Sequence, residues 1–391
     1  MTDPALPSSA PIVIVGGGFG GLYTALALAE RRQPAPILLV EPQERFLFLP
    51  LLYELLSSEL RRWEIAPRYD ALLAGKGIAW LRDRVVHIDG RTRQFTTAGG
   101  RTLPFRELVV ACGAATSSFG IPGVVEHSLG FRTLADVERL QQLVTTLRDQ
   151  RRPLQRLAVV GAGPSGVELA CKLTDLLEGA AVVELIEQGP QPLPLARAFN
   201  REQAIRSLQA RDVRLRTGTR VRAVGADRLH LDGPAGAEEV TVEAVVWTAG
   251  LAFHPPSLEP PAACDRRGRL LCEPTLRLQG AEHLYAVGDI AAVDPGEGPL
   301  PATAQVAFQQ AACLADNLAR AAANEPLAPL AFQDLGEMMS LGIGEASLVG
   351  GGLTLAGSAA FQLRRLAYLT RLPGRSHQLR VAAGWLADWP A

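Results

Sequence analysis

A chain of 391 residues with 48% hydrophobic and 20% charged content is long enough for two or three domains, each with its own core. Its formal net charge of -1 excludes the broad basic field that nucleic-acid binding uses. The longest uncharged stretch, Leu108 to Val125, carries three Gly, one Pro and three Ser/Thr, so it reads as a strand and loop, and a helical membrane span is not expected.

The first ten residues are small and Pro-rich, with no basic segment followed by an apolar one. They are expected to form a disordered leader rather than a signal peptide. The apolar run Ile12 to Val15 predicts a strand. It leads into Gly16-Gly17-Gly18-Phe19-Gly20-Gly21 and a helix over about 20–31. A second strand, Ile37 to Val40, ends on Glu41. The aromatic stretch Phe46 to Ser58 follows, then a polar helical stretch to about Leu73. Val85–Ile88 and Leu108–Val110 read as further strands, and 131–148 has helical spacing.

The pattern then repeats. Leu157 to Val160 leads into Gly161-Ala162-Gly163-Pro164-Ser165-Gly166, and a strand over Val182–Ile186 ends on Glu187. The third glycine precedes the acid by 20 residues in the first unit and 21 in the second. At that spacing an acid reaches the adenosine ribose hydroxyls of a dinucleotide whose pyrophosphate rests on the helix N-terminus. In such a loop Gly16 and Gly161 permit the tight turn, Gly18 and Gly163 let the backbone approach the ligand, and Gly21 and Gly166 let the helix pack on the strand. Strands near Val213–Arg216 and Val245–Trp247 follow. Leu284 to Val287 ends at Gly288-Asp289, and an alanine-rich helix over about 302–323 comes next.

The five cysteines show neither C-x-x-C nor C-x-x-x-x-C and read as buried free thiols in a reducing compartment. No two histidines stand at metal-ligand spacing, so no metal site is expected.

Several motifs identify a resemblance. Leu108 to Gly113, Val246 to Gly250 and Tyr285 to Asp289 resemble the characteristic turns of flavoproteins that bind two dinucleotides, with Cys112 where Thr is usual. Phe46-Leu47-Phe48-Leu49-Pro50-Leu51-Leu52-Tyr53-Glu54 resembles the flavin-covering loop of type II NADH dehydrogenases, the NAD(P)H:quinone oxidoreductases. Ala304-Gln305-Val306-Ala307-Phe308-Gln309 resembles their A-Q-x-A-x-Q quinone-site helix. Leu52 to Ser57, Trp63 to Arg68 and Leu335 to Met339 look most like the cyanobacterial and plastid branch, associated with demethylphylloquinone and related prenylquinones.

The resemblance implies an α/β fold of two Rossmann-like domains, one inserted in the other, with a short membrane-associating C-terminal segment. The expected boundaries are a leader at 1–10, an FAD domain at 11–150 and 262–330, an NAD(P)H domain at 151–261 and a quinone-site segment at 331–391. Gly16, Gly18, Gly21, Glu41, Pro50, Gly113 and Asp289 are assigned to FAD. Gly161, Gly163, Gly166, Glu187 and Gly250 are assigned to NADH or NADPH. The Glu187 carboxylate would repel a 2′-phosphate, which favours NADH, although the branch includes enzymes that use NADPH.

Glu168, expected in the first helical turn, has a plain reading as favourable charge at a helix N-terminus. The resemblance instead gives it a role between nicotinamide and quinone. Gln305 and Gln309, four apart on one helix face, read alone as an exposed polar stripe; the resemblance points their amides at a quinone carbonyl. The tail sets Arg364, Arg365, Arg371, Arg375 and Arg380 against one acid, Asp388, with Phe361, Leu366, Tyr368, Leu369, Leu379, Trp385, Leu386 and Trp389 interleaved. It reads either as a basic amphipathic surface for an anionic bilayer, on the cytoplasmic side, or as a core-packing pair or homodimer contact. A disulfide reductase or sulfide:quinone reductase would need flavin-side cysteines. A ferredoxin or rubredoxin reductase and a non-catalytic nucleotide sensor are the other readings.

Overall fold

The computed structural model describes residues 9–31, 35–150, 152–296 and 298–387. Most of the leader, together with Asp388 and Trp389, lies outside them.

Two five-stranded parallel sheets organise the chain. In the first, the strands run in the order Leu284–Ala286, Glu107–Val110, Ile12–Val15, Ile37–Val40, Ile78–Leu81. The central three are buried at every position. Parallel strands covered on both faces need continuous apolar runs, and these segments have them apart from Glu107. In the second sheet the order is Arg214–Arg216, Val182–Ile186, Arg156–Val160, Ala244–Trp247, Ser128–Leu129. The chain leaves the first sheet, builds the second, and returns with Leu284–Ala286 beside Glu107–Val110.

Helix Phe19–Glu30, which follows the first glycine loop, packs along helix Ala304–Ala322. The latter begins where Thr303 accepts a hydrogen bond from the Val306 N–H. The helix expected from residue 131 starts at Leu134. There the Asp136 carboxylate accepts from the N–H groups of Arg132 and Thr133, and the Thr133 hydroxyl accepts from the Asp136 N–H, which closes a cap. Cys171 and Cys272 are buried, but Cys112 and Cys264 are exposed, so the expectation of uniformly buried thiols does not hold.

The C-terminal region departs most from expectation. It opens with a three-stranded antiparallel sheet, Glu337–Ser340, Ala346–Gly350 and Leu353–Gly357. Helices Ser358–Leu369 and Arg375–Ala387 follow. Their arginines are divided: Arg375 and Arg380 are exposed, while Arg364 is buried and Arg365 half-buried. Arg364 is 1% exposed. The Arg365 guanidinium lies 4.3 Å from the Trp385 ring centroid, Arg371 lies 4.8 Å from that of Phe308, and Arg380 lies 4.8 Å from that of Trp63. Leucines face outward as well: Leu363 and Leu366 on the first helix, and Leu379 and Leu386, at 72% and 75% exposure, on the second. Among the described residues no helix is long and apolar enough to cross a membrane.

Candidate active site

Both glycine loops stand at the carboxyl ends of their sheets, where open α/β folds bind ligands. Gly16 has φ +104°, and a Cβ there would sit 2.5 Å from the Ala111 carbonyl oxygen. A Cβ on Gly21 would lie 1.9 Å from the Gly16 oxygen, so helix and strand meet only without side chains. Gly161, with φ +101°, and Gly166, whose Cβ would lie 1.7 Å from the Gly161 oxygen, repeat this geometry. Gly18 and Gly163 differ from these four, since a Cβ on either meets nothing within 4 Å. They are the N-caps of helices Phe19–Glu30 and Pro164–Leu177. Each therefore opens a helix N-terminus, with its unpaired N–H groups and favourable dipole, to an approaching anion.

The two acids hold matching positions. Glu41 accepts from the N–H groups of Gly17 and Gln43 at 2.7 and 2.8 Å. Glu187 accepts from those of Ala162 and Gly189 at 2.8 and 2.7 Å. Each carboxylate is aligned by backbone and has lone pairs left for ribose hydroxyls.

One cavity of about 1060 Å³ takes in both loops. Its lining includes Gly16, Gly18, Glu41, Pro50, Gly113 and Asp289 from the first set of assigned residues, and Gly163, Gly166 and Gly250 from the second. Asp289 sits in a tight turn after Leu284–Ala286, and burial pushes its carboxyl above the usual range, opposed by Arg132 and Arg269. The Gly288 N–H donates to Gln310 Oε1 at 2.7 Å, so a buried glutamine of helix Ala304–Ala322 fixes this turn. An FAD fits the first set: a bare Gly18 for the pyrophosphate, Glu41 for the ribose and the Asp289 carboxyl for the ribityl chain.

The cavity is also lined by Leu49, Pro50, Tyr53, Glu168, Met338, Arg364 and Tyr368. Helix Pro164–Leu177 places Glu168 one turn further in than expected, and the residue is buried. Its Oε1 accepts from the Ser340 N–H at 2.7 Å and lies 3.9 Å from an Arg364 nitrogen. A free helix N-terminus therefore does not account for this acid. Burial pushes its carboxyl up to about 7, with Arg364 and the Ser340 N–H pulling the other way. Arg364 also binds the buried Glu54 carboxylate and donates to the Pro50 carbonyl at 2.7 Å, with Tyr368 stacked 4.9 Å away. One cation thus joins the C-terminal helix, the 46–56 loop and the helix of the second glycine loop. Arg364 was legible only as part of a basic tail. The signal that could have separated it is its place with Phe361 and Tyr368 at helical spacing, on the apolar face.

Gln305 and Gln309 are not brought to this cavity. Their helix lines it through Ala304 and Ala307. Gln309 exchanges two hydrogen bonds with the backbone of Gln333, at 2.8 and 2.9 Å. Gln305 accepts from the Leu335 N–H at 2.7 Å and donates to the Gly336 carbonyl at 3.4 Å. Both amides pin the strap at 333–336 that leads into strand Glu337–Ser340, and that strand carries Met338 to the cavity and Ser340 to Glu168. Of the five cysteines only Cys112 lines the cavity.

The chain matches the pyridine nucleotide-disulphide oxidoreductase family over residues 10–311. It is 39% identical to the demethylphylloquinone reductase NdbB of Synechocystis sp., over 97% of both chains. It is 38% identical to an alternative NAD(P)H-ubiquinone oxidoreductase of Arabidopsis thaliana, over 96% of this chain and 80% of the relative. The fold matches that of NDH2 from Plasmodium falciparum, solved in complex with NADH, at a TM-score of 0.82 and 17% identity, over 95% and 96% of the two chains. The chain belongs to the pyridine nucleotide-disulphide oxidoreductase family, among its type II NADH:quinone oxidoreductases.

Proposed function

We propose that this protein is a non-proton-pumping, FAD-dependent NAD(P)H:quinone oxidoreductase that reduces a prenylquinone of the demethylphylloquinone, phylloquinone or plastoquinone type. The observation that carries the reading is that two glycine loops, each with an acid tied to its backbone, open into one cavity, whose lining includes Glu41 and not Glu187. Gly16, Gly18, Gly21, Glu41, Pro50, Gly113 and Asp289 hold FAD, which supplies a two-electron carrier when bound. Gly161, Gly163, Gly166, Glu187 and Gly250 hold the nicotinamide nucleotide beside it. The chain contributes position and electrostatics rather than covalent chemistry.

Reduction of a quinone to the quinol takes up two electrons and two protons. The donor's hydride brings both electrons and one proton, and the second proton comes from solution. Glu168 is the group placed to pass it on, because burial holds its carboxyl near neutrality. The quinone head docks among Leu49, Pro50, Tyr53, Met338 and Tyr368. Gln305 and Gln309 serve this end by holding the strap that positions Met338 and Ser340. The outward leucines of the two C-terminal helices rest on the cytoplasmic side of the membrane, so that the quinone arrives from lipid. Arg364 beneath them anchors the first of these helices to the protein, and the exposed Arg375 and Arg380 face the headgroups.

A quinone panel assayed with NADH and NADPH on the purified protein tests this reading. Saturable quinone reduction with a higher kcat/KM for NADH is expected. Reduction of a ferredoxin with no activity on any quinone would overturn it.

A further inference from the structure

The loop at 117–123 contains a residue that is strained twice. Phe119 has φ +51°, a left-handed conformation that is costly for a bulky side chain, and its ring is 62% exposed. The loop around it is firmly held. Trp247 Nε1 donates to the Ser117 carbonyl at 2.8 Å, and the Phe119 N–H donates to the Ser117 hydroxyl at 3.1 Å. On the other side, the Val224 N–H donates to the Pro122 carbonyl at 2.9 Å. A Cβ on Gly123 would fall 1.8 Å from the Val224 oxygen, so the loop lies tight against that strand. The strain is therefore imposed by a fixed loop and presents one aromatic ring at its tip.

That ring rests on Gly250. A Cβ there would lie 2.2 Å from the tip of the Phe119 ring, and Gly250 itself has φ +75°. Gly250 closes the Thr248-Ala249-Gly250 turn, and Thr116, Trp247, Thr248, Gly250 and Leu251 all line the cavity. Gly163, Glu168 and this turn line the same cavity, so a dinucleotide seated on Gly163 shares it with Gly250.

We infer that Phe119 is a binding residue for the nicotinamide nucleotide: its ring covers bare Gly250 in the free protein and stacks on the nicotinamide riboside half when the nucleotide is bound. This inference rests on the assignment of the second glycine loop to NAD(P)H. Strain at an exposed aromatic is then functional, because the fixed left-handed backbone holds a flat apolar face against Gly250, just outside the cavity lining, without closing the cavity to exchange. Phe119 takes no part in FAD binding, and its removal leaves the first loop untouched.

The test is calorimetric titration of NAD⁺ into the FAD-loaded protein, with Phe119→Asn, Phe119→Tyr and wild type. Asn tolerates the left-handed backbone, so the first variant removes the ring without adding strain. The dissociation constant should rise about tenfold in Phe119→Asn, the scale of one aromatic stacking contact, and return to within about twofold in Phe119→Tyr. FAD content and KM for quinone should be unchanged in both, and the melting temperature should not fall in Phe119→Asn, whose backbone strain is relieved. NAD⁺ binding by Phe119→Asn within twofold of wild type, or tighter, would overturn the inference and leave the nucleotide assignment intact. Failure of the wild type to bind NAD⁺ would overturn both.

Discussion

The two glycine loops are nearly superposable in chemistry and differ in what surrounds them. In each, a positive-φ glycine turns the chain, a second glycine bares the helix N-terminus, and an acid from the next strand is tied to the loop backbone. Around the first loop, however, the Tyr69 hydroxyl donates to the Gly17 carbonyl, and a Cβ on Gly17 would strike that hydroxyl at 2.3 Å. Trp80 bonds the Glu41 carbonyl, and the 46–56 loop is held down by Arg364. The second loop has Ala162 in place of Gly17, and Pro164 and Ser165 beside it are exposed. The first loop is buttressed by side chains from other segments, although Gly18 itself is as open as Pro164 and Ser165 of the second. Affinity chemistry is shared between the loops; the buttressing separates a resident cofactor from a substrate that must leave every turnover.

The largest effects should come from breaking one loop at a time. Gly18 and Gly163 have φ of −68° and −74°, which any residue adopts, and open space where a Cβ would go. Valine at either should fold and block the pyrophosphate. Gly18→Val is expected to purify without flavin. Gly163→Val should keep its flavin but lose NADH-driven bleaching by about 100-fold or more, from two charged hydrogen bonds at about 1.5 kcal/mol each. Absorbance of the purified variants and stopped-flow rates check this, and loss of flavin from both would erase the distinction.

The buttressing itself depends on Arg364. Arg364→Met leaves Glu54 charged and buried, which should cost about 3–5 kcal/mol in urea unfolding. Arg380→Met, which loses only a stack on Trp63, should cost about 0.5–1 kcal/mol. Equal losses would mean that the C-terminal helices are not held through Arg364.

The buried Glu168 is protonated below about pH 7 and ionised above it. Quinone-driven reoxidation should therefore slow as pH rises through 7, and Glu168→Gln should flatten that profile. A wild-type rate independent of pH between 6 and 8 would remove Glu168 as the proton source. Nucleotide preference should shift less. Glu187→Gln is expected to narrow the NADH over NADPH preference in kcat/KM about tenfold, as one charge repulsion is removed. A native preference for NADPH would contradict the charge argument. Gln309→Ala is expected to change activity least. It should lower stability by about 1–2 kcal/mol through the two lost bonds to Gln333, with quinone KM nearly unchanged. A large rise in quinone KM without loss of stability would put the amide back at the quinone.

The parts read well from sequence were those with local causes. Glycine spacing, apolar strands and the paired acids are short-range patterns, and the structure gives each loop the geometry they imply. The tail was harder, because a guanidinium facing lipid headgroups and one stacked on Trp63 or buried against Glu54 look alike in sequence. Arg364 and Glu54 are 310 residues apart, and nothing local marks either as buried. Gln305 and Gln309 were misdirected for the same reason: their partners at 333–336 belong to an irregular strap with no periodic signal. Phe119 went unremarked because its strain lies in φ, which composition does not show.

The central claim, two nucleotides sharing one cavity so that electrons pass between them to a quinone, is tested most directly by anaerobic stopped flow. FAD-loaded protein mixed with NADH should bleach in a single turnover, and a second mix with a soluble quinone should restore the oxidised flavin spectrum. A flavin that NADH does not bleach, or that stays bleached in the presence of quinone, would contradict the account.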